Sequence, residues 1–348
     1  MAEPMPNCEP IWATGTPDWC FVRHTFRTGP VTRATLRVTA ASPLPALQYV
    51  YRAHLNGTVV GVGPTRPHGA ETRYDSYDVT GLIRPGRNTV GALLHTTADH
   101  RFAAELELHP VDGPPVRIGT GPDWQARPGT DCCPEAGSIG TQCFVAPVED
   151  LDLRRYPHGF DRPEFAETWP AAAPRPAFEA LVPSPLAPVE PHLAAPAEVL
   201  LDEPDRMVID FGRTWAGGAW LRAAGPAGHR IELRYGEVLE QDERGRPAVR
   251  YRLSTGNVYR DVWTLAGAER AAATWGLRVF RYLELRFPDG RPEIAEIKAA
   301  ALRYRFDRDA AAFSSDDPVL DRVWRLSADT IEALNVNLYV DSWTRERL

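Results

Sequence analysis

The residues whose types and spacing could support chemistry lie at the end of the sequence. Asp341, Arg345 and Glu346 fall within the charged segment 341–347, which reads Asp-Ser-Trp-Thr-Arg-Glu-Arg. A carboxyl group can donate a proton near neutral pH only if burial or a nearby carboxylate raises its pKa. Asp341 is the neighbouring carboxylate for Glu346, whereas Arg345 would act in the opposite direction. The alternative interpretation is a solvated, charged segment that follows a helix.

A second group of polar residues lies in a loop rich in glycine and proline at residues 61–69. Arg66 and His68 could donate hydrogen bonds to sugar hydroxyls there, next to the ring of Tyr74. The alternative is a surface crossover held rigid by its prolines. Exposed aromatic rings in sandwich loops could also cover an apolar sugar face, and three tryptophans are candidates for this role: Trp12, Trp19 and Trp215.

The cysteines and histidines do not predict a metal site. Cys132, Cys133 and Cys143 lack the paired C-x-x-C spacing that zinc sites use. The nine histidines contain no H-E-x-x-H pair. We therefore expect free thiols, no metal and no cofactor.

The composition excludes two classes of partner. The chain has 348 residues, is 43% hydrophobic and 24% charged, and carries a net charge of −7, which disfavours binding to nucleic-acid phosphates. No apolar run is long enough to span a membrane. The first residues are acidic rather than basic and no apolar run follows them, so the sequence predicts a cytoplasmic protein.

Short alternating strands separated by turn residues predict a first β-sandwich over residues 1–175. The clearest local signal is Asn56-Gly57 between two apolar runs, because a type I′ hairpin turn needs positive φ at both central residues. Asn56 also begins a glycosylation sequon, but the turn is the better explanation for it.

The rest of the chain predicts a connector, a second sandwich and a helix. Prolines are dense over 176–200, β-type runs occupy 201–308, and the period changes to three or four residues within 309–348. Ser315 to Pro318 supplies a helix cap, and the apolar stripe runs from Val319 to Leu334. We expect this helix either to be loosely held or to pack its apolar stripe on the second sandwich.

Three sets of motifs together resemble the bacterial α-L-rhamnosidases of glycoside hydrolase family seventy-eight. The first comprises Tyr51–Gly57, Tyr77–Thr80 and Gly86–Asn88. The second lies in the next β region and comprises Asp210-Phe211-Gly212, Gly236-Glu237, Gly256-Asn257, Asp261 and Phe280–Glu284. The third comprises Phe313–Asp316 and Asp341–Arg347, where the family writes D-C-P-Q-R-E-R and this chain has Ser342-Trp343-Thr344 in the middle.

The resemblance implies a mainly β chain of two jelly-roll-like sandwiches, followed by the first helix of an (α/α)₆ catalytic barrel. It implies inverting hydrolysis of terminal α-L-rhamnosides, with Glu346 as general acid and Asp341 and Arg345 contacting the sugar. The general base would then lie beyond residue 348, so we expect this chain alone to be inactive and to dock against a barrel. The alternatives are a carbohydrate-binding sandwich protein without catalytic activity and a structural scaffold.

Overall fold

The computed structural model describes residues 5, 7–42, 46–47, 49–66, 71–140, 144–304 and 306–334. The chain forms two compact units. Unit 1 comprises Met1–Pro134 and Arg155–Pro188, and unit 2 comprises Glu135–Arg154 and Val189–Leu348. The expectation of a mainly β chain with two sandwich units and a C-terminal helix is confirmed.

Unit 1 contains two antiparallel-rich sheets, and a short 3₁₀ turn lies at Thr80–Leu82. The strands of the first sheet, in spatial order, are β14 (Ala173–Pro174), β1 (Ile11–Trp12), β9 (Phe102–Pro110), β3 (Val31–Ala40), β7 (Thr72–Asp78) and β15 (Leu181–Pro183), with β10 (Val116–Gly119) also on β9. Those of the second sheet are β11 (Gln125–Pro128), β2 (Trp19–Thr28), β8 (Gly86–His95), β5 (Tyr51–Leu55) and β6 (Thr58–Gly63). A further short strand, β4, spans Ala46–Leu47.

The predicted hairpin joins β5 and β6. Asn56 and Gly57 have φ values of 52° and 83°, so both central residues are in the left-handed region that a type I′ turn requires. The Asn56 side chain is also buried: its amide donates to the Leu82 carbonyl (2.8 Å) and to Asn88 Oδ1 (2.7 Å). The turn therefore explains the asparagine, as predicted.

Unit 2 is built around one long strand, β18 (Arg206–Ala224). The spatial order is β12 (Glu135–Gly140), β13 (Phe144–Asp152), β22 (Arg260–Thr264), β19 (Arg230–Gly236), β24 (Arg278–Arg286), β18, β25 (Glu293–Arg303) and β16 (Glu190–Ala194). Two more strands, β17 (Glu198–Asp202) and β23 (Arg270–Ala273), pair with β18, and a separate ribbon comprises β20 (Leu239–Gln241) and β21 (Pro247–Val249). The register of β18 on β24 shifts between Asp210 and Trp215. The first half of β18 also pairs with β17, and its second half pairs with β25 and β23.

The compact units differ from the predicted domain boundaries at two places. Residues 135–154 belong to unit 2 rather than to a first domain over 1–175, because β13 pairs in parallel with β22, for example Leu151 with Trp263. The proline-rich stretch 176–200 is not a bare connector, since β15 pairs with β7 and β16 pairs with β25. All three pairings are between residues far apart in the chain, which local composition does not reveal.

The C-terminal helix, α1, spans Pro318–Leu334 and agrees with the predicted helix. No helix in the described part of the chain is long and apolar enough to cross a membrane. The same residues contain no group of three or more His, Cys, Asp or Glu side chains arranged to hold a metal ion.

Candidate functional site

The three predicted site residues, Glu346, Asp341 and Arg345, lie outside the described residues. The last described element before them is α1. The described residues therefore show how unit 2 holds the helix that precedes the predicted catalytic segment.

The start of α1 is capped by carboxylates. The Val319 amide donates to Asp317 Oδ1 (2.8 Å), and the Ser315 amide donates to Asp321 Oδ1 (2.9 Å). Pro318 occupies the first turn, where a missing amide hydrogen costs nothing. The predicted cap is confirmed.

The second half of α1 is anchored to unit 2 by an ion-pair cluster. Arg303 at the end of β25 donates to Glu332 Oε1 (2.6 Å), and Arg308 donates to Glu332 Oε2. Asp329 accepts from Arg308 (2.7 Å) and lies 3.2 Å from Arg213 Nη1 of β18. Burial by itself raises the pKa of Glu332, but the hydrogen bonds from the two arginines outweigh it and hold that pKa below its usual value.

The apolar stripe of α1 faces away from this anchor. Its large side chains are 40–67% exposed, and they are Val319, Leu320, Val323, Trp324, Leu326 and Ile331. Phe313, also exposed, stacks on Trp324 with ring centroids 5.5 Å apart. The prediction that the stripe packs on the second sandwich is wrong, because charged residues make the contact instead.

The three candidate sugar-stacking tryptophans are buried. Trp12 is 0% exposed, Trp19 is 6% exposed and Trp215 is 9% exposed. Trp215 packs against the His192 ring (centroids 5.5 Å apart), and the Arg213 guanidinium lies over it at 4.5 Å. These rings stabilise the units and do not offer an open stacking face, so their assignment as sugar platforms is wrong.

A surface hollow of about 110 Å³ lies in unit 1 beside the glycine- and proline-rich loop. Pro64 and Thr65 form one side, and Thr72 and Arg73 of β7 form another. Of the two polar side chains predicted to bind there, Arg66 is half-buried and does not line the hollow, and His68 lies outside the described residues.

A buried carboxylate fixes the loop that borders the hollow. Asp75, 2% exposed, accepts hydrogen bonds from the Thr65 amide (3.0 Å), the Thr65 hydroxyl (2.5 Å) and the Tyr51 hydroxyl (2.6 Å). Burial raises the pKa of Asp75, although these hydrogen bonds act in the opposite direction. A side chain at Gly63 would collide with Asp75 and Tyr51, so this close approach requires glycine. Nothing in the sequence pattern indicated this role for Asp75.

Two arginines, Arg73 and Arg101, also line the hollow. Arg101 donates to both carboxylate oxygens of Asp99 (2.5 and 2.6 Å) and to the Ala177 carbonyl (3.0 Å), and its guanidinium lies 4.7 Å from the centroid of the Phe178 ring. Arg73 has only a loose ion pair with Glu71 (3.9 Å), and its Nε is buried without a hydrogen-bond partner among the described residues. Two guanidinium groups, which are hydrogen-bond donors, thus line the hollow.

Unit 2 holds a second buried charged group, which is sealed from solvent. Glu149 accepts hydrogen bonds from the amides of Trp275 and Gly276 (both 2.8 Å). Asp261 accepts from the fully buried Arg278 (2.7 Å), whose Nη2 lies 3.9 Å from Glu149. Burial, together with the negative charge of Asp261, raises the pKa of Glu149 to about 7. Because Asp261 and Arg278 are 0% exposed, this group serves the fold rather than a ligand.

Comparison with known proteins gives consistent matches. Residues 201–302 match the family model described as the bacterial alpha-L-rhamnosidase concanavalin-like domain. An alpha-L-rhamnosidase of Streptomyces avermitilis is 30% identical over 304 residues, a match that covers 79% of this chain and 28% of that protein. The chain thus spans less than a third of the curated relative.

Solved structures share the fold. The Streptomyces avermitilis alpha-L-rhamnosidase complexed with L-rhamnose superposes with a TM-score of 0.68 at 24% identity, covering 97% of this chain and 33% of that one. The GH78 family rhamnosidase of Bacillus sp. GL1 gives a TM-score of 0.82 at 16% identity, covering 99% of this chain and 60% of that one. These matches extend over both units.

Proposed function

We propose that this chain, a relative of the N-terminal region of the bacterial α-L-rhamnosidases, forms the β-sheet region of an inverting glycoside hydrolase that cleaves terminal α-L-rhamnosides. The observation that carries the proposal is the match to the Streptomyces avermitilis alpha-L-rhamnosidase over 79% of the chain. The family model lies within unit 2, and the motifs that resemble the family also extend through unit 1.

The exposed stripe of α1 supports docking to a helical catalytic barrel. A row of side chains 40–67% exposed is unusual for an amphipathic helix, which ordinarily buries its apolar face. Unit 2 holds only the charged side of α1, through Arg303, Arg308 and Glu332. A second helix packed on the stripe would bury it, and the first helix of an (α/α)₆ barrel has such a neighbour.

The proposed chemistry assigns Glu346 as the general acid. An inverting hydrolase needs a protonated carboxyl on the leaving oxygen and a carboxylate base that activates water, roughly 6.5–9.5 Å apart. The proposal places Asp341 and Arg345 on the sugar and the base in the barrel. This chain alone then lacks one of the two required groups.

The first test is the reading frame beyond codon 348, where several hundred further residues with helical periodicity are expected. The full polypeptide should release nitrophenol from p-nitrophenyl α-L-rhamnoside, and the 348-residue chain should not.

Glu346→Gln should lower turnover by about 10²–10⁴-fold. The matched control is Glu243→Gln, a change at an exposed carboxylate in the loop between β20 and β21, which should leave turnover unchanged. Turnover by the 348-residue chain, or full activity in the Glu346→Gln variant, would contradict the assignment.

We also propose a cytoplasmic location. The support is that Cys8, Cys20 and Cys132 form no disulfide within the described part of the chain, which suits a reducing compartment. Fractionation of cells that express a tagged chain from its own gene tests this, and recovery in the periplasmic or culture fraction would contradict it.

A further inference from the structure

The hollow of unit 1 offers hydrogen-bond donors that the fold does not use. Arg73 lines the hollow with its side chain 20% exposed, and Glu71 pairs with it only loosely, 3.9 Å from Nη2. One long ion pair does not satisfy a guanidinium, so the N–H groups of Arg73 can still donate to an acceptor in the hollow. Arg73 therefore points to a ligand with an accepting group.

Arg101 adds donors in a fixed orientation. A guanidinium has five N–H groups, and Arg101 uses three of them on Asp99 and the Ala177 carbonyl. The Asp99 pair and the Phe178 ring hold the planar group in place, so its remaining N–H groups lose little further freedom on binding.

The charge of the hollow favours an anion. Two guanidinium groups, those of Arg73 and Arg101, line it together with one carboxylate, that of Asp99. Asp75 lies behind Thr65 and is already satisfied by three donors. A planar carboxylate matches the geometry of a guanidinium fork.

The remaining walls suit a sugar rather than a bare ion. Ser42 and Thr72 contribute hydroxyl-bearing side chains, the Thr65 hydroxyl is bound to Asp75, and the side chains of Ala40, Ala41 and Pro64 are apolar. Sugars present both hydroxyl groups and C–H faces, and both kinds of surface have partners here. At about 110 Å³ the hollow is smaller than the roughly 300–1,000 Å³ of sites for drug-sized ligands, so it can hold no more than one sugar residue, and that residue would stay partly exposed to solvent.

We propose that this hollow is a binding site for the carboxylate-bearing residue of an acidic glycan, a uronate, with Arg73 binding the carboxylate and Arg101 orienting the sugar. The site lies within unit 1 and does not depend on hydrolysis. Its test uses binding alone, so its failure is distinguishable from failure of the rhamnosidase proposal.

The experiment titrates the 348-residue chain with D-glucuronate, D-glucose, acetate and inorganic phosphate. The guanidinium N–H resonances of Arg73 and the heat of binding are followed. We expect D-glucuronate to shift the Arg73 signal at millimolar concentration and to bind at least about tenfold more tightly than the other three ligands. Equal binding of acetate or phosphate would overturn the sugar assignment, and equal binding of glucose would overturn the carboxylate assignment. The absence of any shift at tens of millimolar would overturn the site.

Two variants locate the effect. Arg73→Gln removes the fork and should weaken D-glucuronate binding about tenfold or more. The matched control Arg27→Gln changes an exposed arginine of β2 in the same unit and should leave binding unchanged. Arg73→Gln should keep the fold, because the described contacts of its guanidinium include only the loose pair with Glu71, and unchanged thermal unfolding verifies this. Unchanged affinity in a folded Arg73→Gln variant would overturn the proposal.

Discussion

Units 1 and 2 each bury a carboxylate, and they satisfy it by different means. Asp75 of unit 1 is bound by two hydroxyl groups and one amide, with no cation among its hydrogen-bond partners. Glu149 of unit 2 is bound by two amides and shares Arg278 with Asp261. Both carboxyl groups have raised pKa values, because burial disfavours the charged form in each case.

The difference lies in what each group holds in place. Asp75 fixes Thr65, which lines an open hollow, so its hydrogen bonds shape a surface. The unit 2 group joins β13, β22 and β24 inside the sheet, where Asp261 and Arg278 are fully buried. A shifted pKa alone therefore does not mark a functional site, because access to solvent separates the two cases.

The largest expected effect comes from removing the cation of unit 2. Arg278→Met leaves Glu149 and Asp261 buried without a guanidinium and should cost about 3–5 kcal/mol of unfolding free energy. Amide exchange should accelerate throughout unit 2 and remain slow in unit 1. The matched control Arg270→Met alters an exposed arginine of β23 and should cost less than about 0.5 kcal/mol. Equal effects of the two substitutions would show that the buried pair does not hold unit 2 together.

Removing the carboxylate of unit 1 should have a smaller and more local effect. Asp75→Ala deprives the Thr65 amide, the Thr65 hydroxyl and the Tyr51 hydroxyl of their acceptor, at a cost of about 2–3 kcal/mol. Amide exchange should increase around residues 62–66, and D-glucuronate affinity should fall. Asp112→Ala, at an exposed loop position, is the control. Slow exchange at 62–66 in the Asp75→Ala variant would contradict the anchoring role.

The free energy of unfolding of unit 2 should depend on pH through Glu149. The pKa of Glu149 is raised from an unfolded value of 4.5 to about 7. Between these values the unfolded chain has lost the proton and the folded chain keeps it, so the stability of unit 2 should fall as pH rises. The slope is at most about 1.4 kcal/mol per pH unit. Asp261, Arg278 and Tyr235 face this group, and Arg278 acts against the shift.

Denaturant unfolding of Glu149→Gln between pH 4.5 and 7 measures this slope. The variant should lose the slope contributed by this carboxyl, and Glu243→Gln should retain it. If Glu149→Gln kept the wild-type slope of unfolding free energy against pH, another titrating group would be responsible for that slope.

Features set by local sequence were predictable. Asn56-Gly57 predicted a turn because positive φ values restrict the residue types, and Ser315–Pro318 predicted the start of α1 because capping uses side chains next to the amides they bind. The alternation of apolar residues likewise predicted a mainly β chain.

Features set by distant contacts were not predictable. The pairing of β13 with β22 joins residues that are more than a hundred positions apart, and it places residues 135–154 in unit 2. Trp12 and Trp215 are buried, and the sequence alone does not distinguish an exposed tryptophan in a loop from a buried one in the core. Nothing in the sequence pattern singled out Arg73, and only its position beside Thr65 and Arg101 makes it a candidate ligand contact.

The smallest expected effect concerns Glu332, a buried carboxylate of α1 that is held by two cations. Arg303 and Arg308 lower its pKa, so its contribution to stability is present above the unfolded value of 4.5 and is lost as pH falls through the lower folded value, opposite in sign to Glu149. Both arginines are partly exposed, so Glu332→Gln should cost only about 1 kcal/mol at neutral pH. The loss should appear as faster amide exchange in the second half of α1, while the strands of unit 2 stay protected. Asp316→Asn, at an exposed position before the helix, should leave that half unchanged. If acidification to below pH 4 does not loosen α1 in the wild-type chain, the anchor is provided by contacts other than this ion pair.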